Sequence, residues 1–331
     1  MKPVSPLCSL TLGGIVALAP ACGPLPDDAP VMAQAAALHE NQGTELAGTN
    51  RAGYAVLYSG ARDAAGGAFS SLTVYRGALQ AKQGGKVYSG DSAKLIGARL
   101  TAVDGSYVEI VRACPHPRTP QGWKPPSGWV PPTGCTYPVD WTVQPDEFEY
   151  ELQVVSGGTR TPLCKGDWNR AVPMVGTFDK TGMRLTSATS FTFACNGGTA
   201  VKCSNWGYKP WVDPDRHLAC TRMARADYCG DGASHTFEGT PVDVYDPAGI
   251  LYPVTSAAYF EAAWTTKGAL CLSKLRWQTL PPDGYCGAVL PDPRNGSGRF
   301  CDDISSDEMV RLGALSEDAL KALFAAGSGN K

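Results

Sequence analysis

The chain has 331 residues, 43% hydrophobic and 18% charged, a balance that supports an ordinary buried core and excludes a wholly disordered protein. A formal net charge of −2, with no dense Lys/Arg cluster, excludes a phosphate-tracking nucleic-acid surface and a basic membrane-surface helix.

Residues 1–22 read as an export signal. Lys2 supplies a positive start, and the apolar run from Leu10 to Ala19 is too short to span a bilayer. Ala19 and Ala21 place small residues before Cys22, so cleavage after Ala21 makes Cys22 the new N-terminus. A cysteine there resembles the bacterial lipobox, in which the thiol is acylated, although Pro20 and Ala19 depart from the usual residues. The membrane, reached through a lipid on Cys22, is therefore the first expected partner. The alternative is a plainly secreted protein with Cys22 as a spare thiol. Residues 23–40, starting GPLPDDAP, suit a flexible tether.

Residues 41–155 form a strand-rich region. The glycines of NQGTELAGTNRAG (41–53) are too few to stack as a solenoid and are expected to turn the chain into the first strand. YAVLY (54–58), SLTVYRG (71–77) and FEYELQVV (148–155) have strand composition. ARLTAVDGSYVEIVRA (98–113) predicts a hairpin about Asp104-Gly105, the pair favoured in type I′ turns. Residues 114–135 repeat Gly-Trp-x-Pro-Pro, and prolines at that density predict a polyproline-like loop rather than helix or inner strand. Trp123 and Trp129 in that loop either fold back over the sheet as a lid or form an aromatic platform for sugar, peptide or polymer.

Residues 156–290 mix element types. FTFACNGG (191–198) predicts strand then turn, TAVKCSNWG (199–207) a short helix, and HLACTRMARADYCG (217–230) a helix stopped by Gly230. PVDVYD (241–246) returns to strand, and SAAYFEAAW (256–264) predicts a helix capped by Thr255 or Ser256 and stopped by Gly268. In the tail, 291–331, two Ser-capped helices are expected before a frayed AAGSGNK.

Of the 12 cysteines, Cys8 leaves with the signal and Cys22 is assigned to the lipid. The rest, Cys114, Cys135, Cys164, Cys195, Cys203, Cys220, Cys229, Cys271, Cys286 and Cys301, are even in number and read as a disulfide framework. Neighbour pairing joins Cys114–Cys135, Cys195–Cys203, Cys220–Cys229 and Cys286–Cys301, leaving Cys164–Cys271. Zinc is disfavoured because no C-x-x-C knuckle occurs. No metal or organic cofactor is expected.

The densest chemistry is CTRMARADYCGDGASH (220–235). Cys229, His235 and Asp243 supply the residue types of a thiol hydrolase: nucleophile, base and orienting acid. The competing reading makes Cys229 a half-cystine and His235 a satisfied polar side chain, because an oxidising compartment works against a reduced thiol. Asp227 and Asp231 flank a turn without the ligand spacing of a calcium loop. Asp227 is expected to pair with Arg225 beneath the turn. No G-x-S-x-G, P-loop or H-E-x-x-H motif is present.

FTFAC (191–195), KCSNWGYKPW (202–211), RADYCGDGASHTFEGTPVDVYD (225–246) and AAWTTKGALC (262–271) together resemble the ADYC-domain proteins, a family of myxobacterial-type exported proteins. The resemblance covers about 160–280 and places an ADYC-like domain at 156–290. It implies lipoprotein-like export and transfers no chemistry. The expected fold is α+β: a strand-rich, disulfide-stapled exported domain with a few short helices and a helical C-terminal tail. The expected role is a non-enzymatic structural or binding module at the outer membrane or cell surface, or else periplasmic or secreted. It would contact envelope polysaccharide or protein and no nucleic acid. The alternative is an envelope hydrolase with a Cys/His/Asp site.

Overall fold

A computed structural model describes residues 54–118, 134–135, 142–164, 170–179, 181–236, 240, 242–245, 250, 259–272, 275–276 and 327–330. Strands dominate it. Its largest sheet contains β1 (Tyr54–Leu57), β5 (Arg99–Thr101), β6 (Tyr107–Arg118), β7 (Thr142–Ser156), β8 (Thr159–Pro162), β9 (Arg170–Val175) and β12 (Ser190–Cys195). They follow the order β1-β12-β9-β7-β6-β5, with β8 paired to β7. The two ends then meet. Val56 bridges Ala102, and the Val103 amide donates to the Ala55 carbonyl at 3.0 Å. Closure into a near-barrel removes the open edges that an exposed sheet would present.

Alternation explains what fills it. Val56, Leu100, Val108, Ile110, Tyr150, Leu152, Phe191 and Phe193 are all fully buried, contributed at i, i+2 spacing by successive strands. Phe191 and Phe193 meet edge to face at 5.2 Å, and Phe193 meets Tyr150 at 6.1 Å. A three-stranded meander, β2 (Ser71–Tyr75), β3 (Ala78–Gln83) and β4 (Lys86–Ser89), packs on this barrel. The Tyr150 hydroxyl accepts the Leu79 amide at 2.9 Å, so the buried phenol ties the two sheets together.

β12 is buried at every position, unlike a half-exposed strand. One face belongs to the barrel. On the other, Ala194 joins Val172, Met174, Ala200 and Val201, where helix α1 (Thr199–Asn205) covers the sheet. Helix α2 (Pro214–Arg225) follows. Asp213 caps it by accepting the Arg216 amide at 3.0 Å, and Pro214 occupies the first turn, where no amide donor is needed. β10 (Thr177–Phe178) and β11 (Arg184–Leu185) form a small ribbon. A four-stranded sheet, β13 (Val242–Tyr245), β14 (Tyr259–Thr265), β15 (Gly268–Leu272) and β16 (Gly327–Asn330), runs in the order β13-β16-β14-β15. It shares a second core with α2, built from Met223, Tyr228, Val244, Ala262, Trp264 and Leu272.

Several expectations are corrected. The segment 256–264 contributes strand β14, not a helix. Residues 261–265 are all buried, with Ala262 and Ala263 paired to strands on both sides, and a central strand satisfies such a segment better than a helix, which would expose one face. α2 ends at Ala226, which adopts the left-handed conformation (φ 50°), a turn before Gly230. Gly327–Asn330 is strand rather than frayed end. β6 carries ladder pairing through Pro115 and Pro117, with a bulge between Pro115 and His116, so the proline loop starts later than Cys114. The β5–β6 turn is not type I′. The Gly105 amide donates to Ala102 O and the Ala102 amide to Ser106 O, with Gly105 alone at positive φ (83°). That is a type I turn closed by a glycine bulge. The helices expected in the tail, and Trp123 and Trp129, lie outside the described residues.

The disulfides follow the cores rather than sequence proximity. Cys114–Cys135 forms as neighbour pairing expects. Cys195 bonds Cys164, and Cys203 bonds Cys220, so Cys195–Cys203, Cys220–Cys229 and Cys164–Cys271 are overturned. The reason is burial: Cys164 and Cys195 lie in the barrel core, whereas Cys203 and Cys220 lie in the helix core. Cys229 and Cys271 are also disulfide-bonded. Cys286 and Cys301 lie outside the described residues.

Candidate functional site

The turn after α2 carries the residues that sequence reading singled out. Ala226 ends the helix in a left-handed conformation, turning Asp227 and Tyr228 back into the protein. Asp227 is 0% exposed and pairs with Arg222 from the last turn of α2, and it accepts the Gly232 amide at 3.1 Å. Burial pushes the Asp227 carboxyl above its ordinary value, and Arg222 only partly offsets this. Arg222 also donates to the Thr181 carbonyl and, from Nε, to Thr266 O at 3.4 Å. Asp227 is thus hydrogen-bonded to Arg222, while the expected partner Arg225 acts on it through charge, because i, i+5 across a left-handed cap faces Arg222 inward. Arg225 instead donates to the Gly232 carbonyl.

Tyr228 enters a second network. Its hydroxyl donates to Glu261 Oε1 at 2.6 Å and accepts the Arg276 amide at 3.0 Å, while its ring stacks on Trp264 at 5.1 Å. Arg276 Nε closes the triangle on Glu261 Oε2 at 3.0 Å, and its terminal nitrogens reach Met223 O at 2.9 Å and Ala224 O at 3.4 Å. Burial and the neighbouring Glu261 charge hold the Tyr228 phenol far above its ordinary value, so it is a protonated donor.

Cys229 is bound in a disulfide, which occupies the sulfur that a thiol hydrolase would use. The following turn rests on the β14–β15 hairpin. A Cβ on Gly230 (φ 66°) would fall 2.1 Å from Lys267 O, so only glycine fits. The Ala269 amide donates to Tyr228 O at 2.9 Å. His235 donates its backbone amide to Arg225 O at 2.9 Å, and its ring lies 6.1 Å from that of Tyr228. Asp243 sits in β13, in register with Gly329. The segment is a locked junction between helix and sheet.

A model of the ADYC domain matches residues 92–278, more than half of the chain. The chain belongs to the ADYC domain family. Neither the curated proteins nor the solved structures contain a match. The matched stretch starts before position 156, and residues on both sides of that position share the barrel sheet. Arg222, Asp227, Tyr228, Glu261 and Arg276 all fall inside it.

The ADYC domain holds a second polar cluster that sequence reading missed. Glu147, Glu149 and Glu151 alternate with Phe148 and Tyr150 on β7, so the acids share the face opposite the barrel core. Each finds a cation from another element: Lys209 Nζ at 2.6 Å from Glu147, Arg170 Nη1 at 3.5 Å from Glu149, and Arg112 Nε at 3.6 Å from Glu151. Glu149 also has His116 Nδ1 2.8 Å from Oε1, with the two side chains 2% and 3% exposed. Burial would raise the Glu149 carboxyl, but His116, Arg170 and Asn196 outweigh it and hold it below its ordinary value. The period-2 acid pattern was the available signal. The cations come from distant segments and had none. This cluster lies at the root of the Pro/Trp loop, where Cys114 bonds Cys135 and Arg112 donates to Gly134 O at 2.6 Å. Both side chains of this histidine–carboxylate pair are buried at the base of the loop.

Proposed function

We propose that this ADYC-domain protein is an exported, lipid-anchored module of the cell envelope that binds rather than catalyses. The observation that supports it best is the state of the family segment: Cys229 is a half-cystine, and Asp227 and Tyr228 are enclosed by Arg222, Glu261 and Arg276. Asp227 Oδ2, the Tyr228 hydroxyl and the Cys229 sulfur are each engaged in internal bonds. Disulfides persist in oxidising compartments, which favours a site outside the cytoplasm. Among the described residues no helix is long and apolar enough to cross a membrane. Attachment is assigned to a lipid on Cys22, with residues 23–40 as tether. Contact with envelope polysaccharide or protein is assigned to the Pro/Trp loop, whose base is a rigid platform and whose Trp123 and Trp129 offer flat apolar faces.

The test is fractionation combined with retention. Cys22→Ser should release mature protein from membranes, and Trp123→Ala with Trp129→Ala should abolish retention on isolated envelope material while the melting temperature holds. Unlipidated, wholly soluble wild-type protein would remove the anchor. Strong destabilisation by the Trp substitutions would make both rings core.

A further inference from the structure

Arg62, Arg99 and Arg160 are far apart in sequence and meet on the outer face of the barrel sheet. Arg62 and Arg99 exchange both backbone hydrogen bonds, at 2.9 and 2.8 Å, so their side chains stand side by side. Arg99 lies in register with Glu109, and Glu109 with Gln153, which extends the row across β5, β6 and β7. Arg160 reaches into the row from β8. Its Nη2 lies 3.1 Å from Glu109 Oε2 and 3.3 Å from Oε1, while Arg99 Nε lies 3.4 Å from the same Oε2. The Arg99 guanidinium also sits over the Tyr107 ring, 5.1 Å from its centroid. Arg62 is exposed, and the side chains of Arg99 and Arg160 are 54% and 51% exposed, open to an incoming group.

Stability does not account for this arrangement. Exposed ion pairs contribute little, and like charges directly opposite on a sheet destabilise it. Three cations here gather about one carboxylate, so positive charge is left over. A guanidinium carries its donors in a rigid fork, and Arg99 directs only Nε at Glu109. Glu109 shows what the seat accepts: a carboxylate gripped from two sides. No aliphatic side chain stands among Arg62, Arg99, Glu109 and Gln153. A protein interface has an apolar centre, and a lipid surface is entered by apolar side chains, so a polar, acidic chain fits this row better than either.

We propose that this row is a binding site for an acidic polysaccharide, whose carboxylates are taken by Arg62, Arg99 and Arg160. Glu109 is an internal competitor that holds the two forks at carboxylate spacing. The site is a second surface, and it does not depend on Trp123, Trp129 or the lipid anchor.

The probe is sodium polygalacturonate, titrated calorimetrically into the purified full chain at low ionic strength, with neutral dextran beside it. Polygalacturonate should bind, dextran should not, and the affinity should fall as salt is raised. Arg99→Gln with Arg160→Gln should weaken binding by roughly tenfold or more, with the melting temperature held, because both side chains are exposed. Glu109→Gln should tighten binding, since the resident acid no longer competes; a purely structural row predicts no gain. Lys82→Gln with Lys86→Gln removes the same charge from exposed positions of the meander and should leave binding as it was. Equal losses in the lysine and arginine variants overturn the site, and so does an arginine variant that binds like wild type. Binding of polyglutamate or phosphatidylglycerol vesicles without binding of polygalacturonate overturns the sugar as ligand. Loss through Trp123→Ala and Trp129→Ala, with the arginine variants unaffected, would return the polysaccharide to the Pro/Trp loop.

Discussion

At the scale of single residues, the two buried networks differ in what their loss should cost. Arg276→Met removes the guanidinium whose Nε lies 3.0 Å from Oε2 of the buried Glu261. Breaking one side of such a pair costs about 3–5 kcal/mol, and a chemical-denaturation midpoint should show it without a change in slope. Tyr228→Phe keeps the ring on Trp264 and removes one hydroxyl from between Glu261 and the Arg276 amide. A loss of about 1–3 kcal/mol is expected there. His217 and Asp63 each contribute to the pH response. His217 is buried with Nε2 2.8 Å from Ala200 O, and burial lowers its pKa from 6.5 to about 4. Between those values the unfolded chain binds a proton that the native state refuses, so stability falls as pH drops from 6.5 to about 4. Asp63 accepts from Lys94, Gln83 and the Gly67 amide, which lower its pKa from 3.8 to about 2. Its contribution is intact above 3.8 and is lost as pH falls through about 2. A pH series of unfolding midpoints should therefore fall less between pH 6.5 and about 4 in His217→Gln, and less below 3.8 in Asp63→Asn.

At the scale of elements, the Cys203–Cys220 bond joins α1 to α2 across a separation of 17 residues. Replacing both cysteines by Ala should lower stability by about 3 kcal/mol, and peptide mapping should recover Cys164 with Cys195 unchanged. Gly230→Ala should disrupt more locally, driving a methyl into Lys267 O and loosening the family turn from the β14–β15 hairpin. It should show as lost amide protection at Ala269 and in the adjoining strand. The barrel strands were legible because their core side faces one interior, so period 2 survives in YAVLY and FEYELQVV. Strand β14 was not. Its alanines and its Glu suit a helix, and only the neighbours on both sides make a strand of them. The disulfide map failed for a related reason, since Cys195 and Cys203 are close in sequence but belong to different cores. Within the family segment, Asp227 and Cys229 could be found by composition. The partners of Tyr228 could not, because Glu261 and Arg276 lie far from it in sequence.

At the scale of the whole molecule, oxidation state is the simplest check on the reading. Mature protein should show no thiol at Cys229 or Cys271 by alkylation and mass spectrometry, and reduction should unfold it rather than unmask an activity. A reactive, low-pKa thiol at Cys229 in protein purified without reductant would reverse this and bring His235 and Asp243 forward. Barrel closure carries a further consequence, one of timing. Tyr54 at the start of β1 pairs with Phe193 in β12, and its strand's other neighbour is the end of β5. A chain delivered N-terminus first presents β1 long before β12 exists to receive it. No local contact substitutes for that pairing, and distant pairings form slowly. The first strand therefore waits, unpaired on its β12 side, until nearly all of the barrel has emerged. A chain that emerges N-terminus first is kept open by the same topology that later seals it.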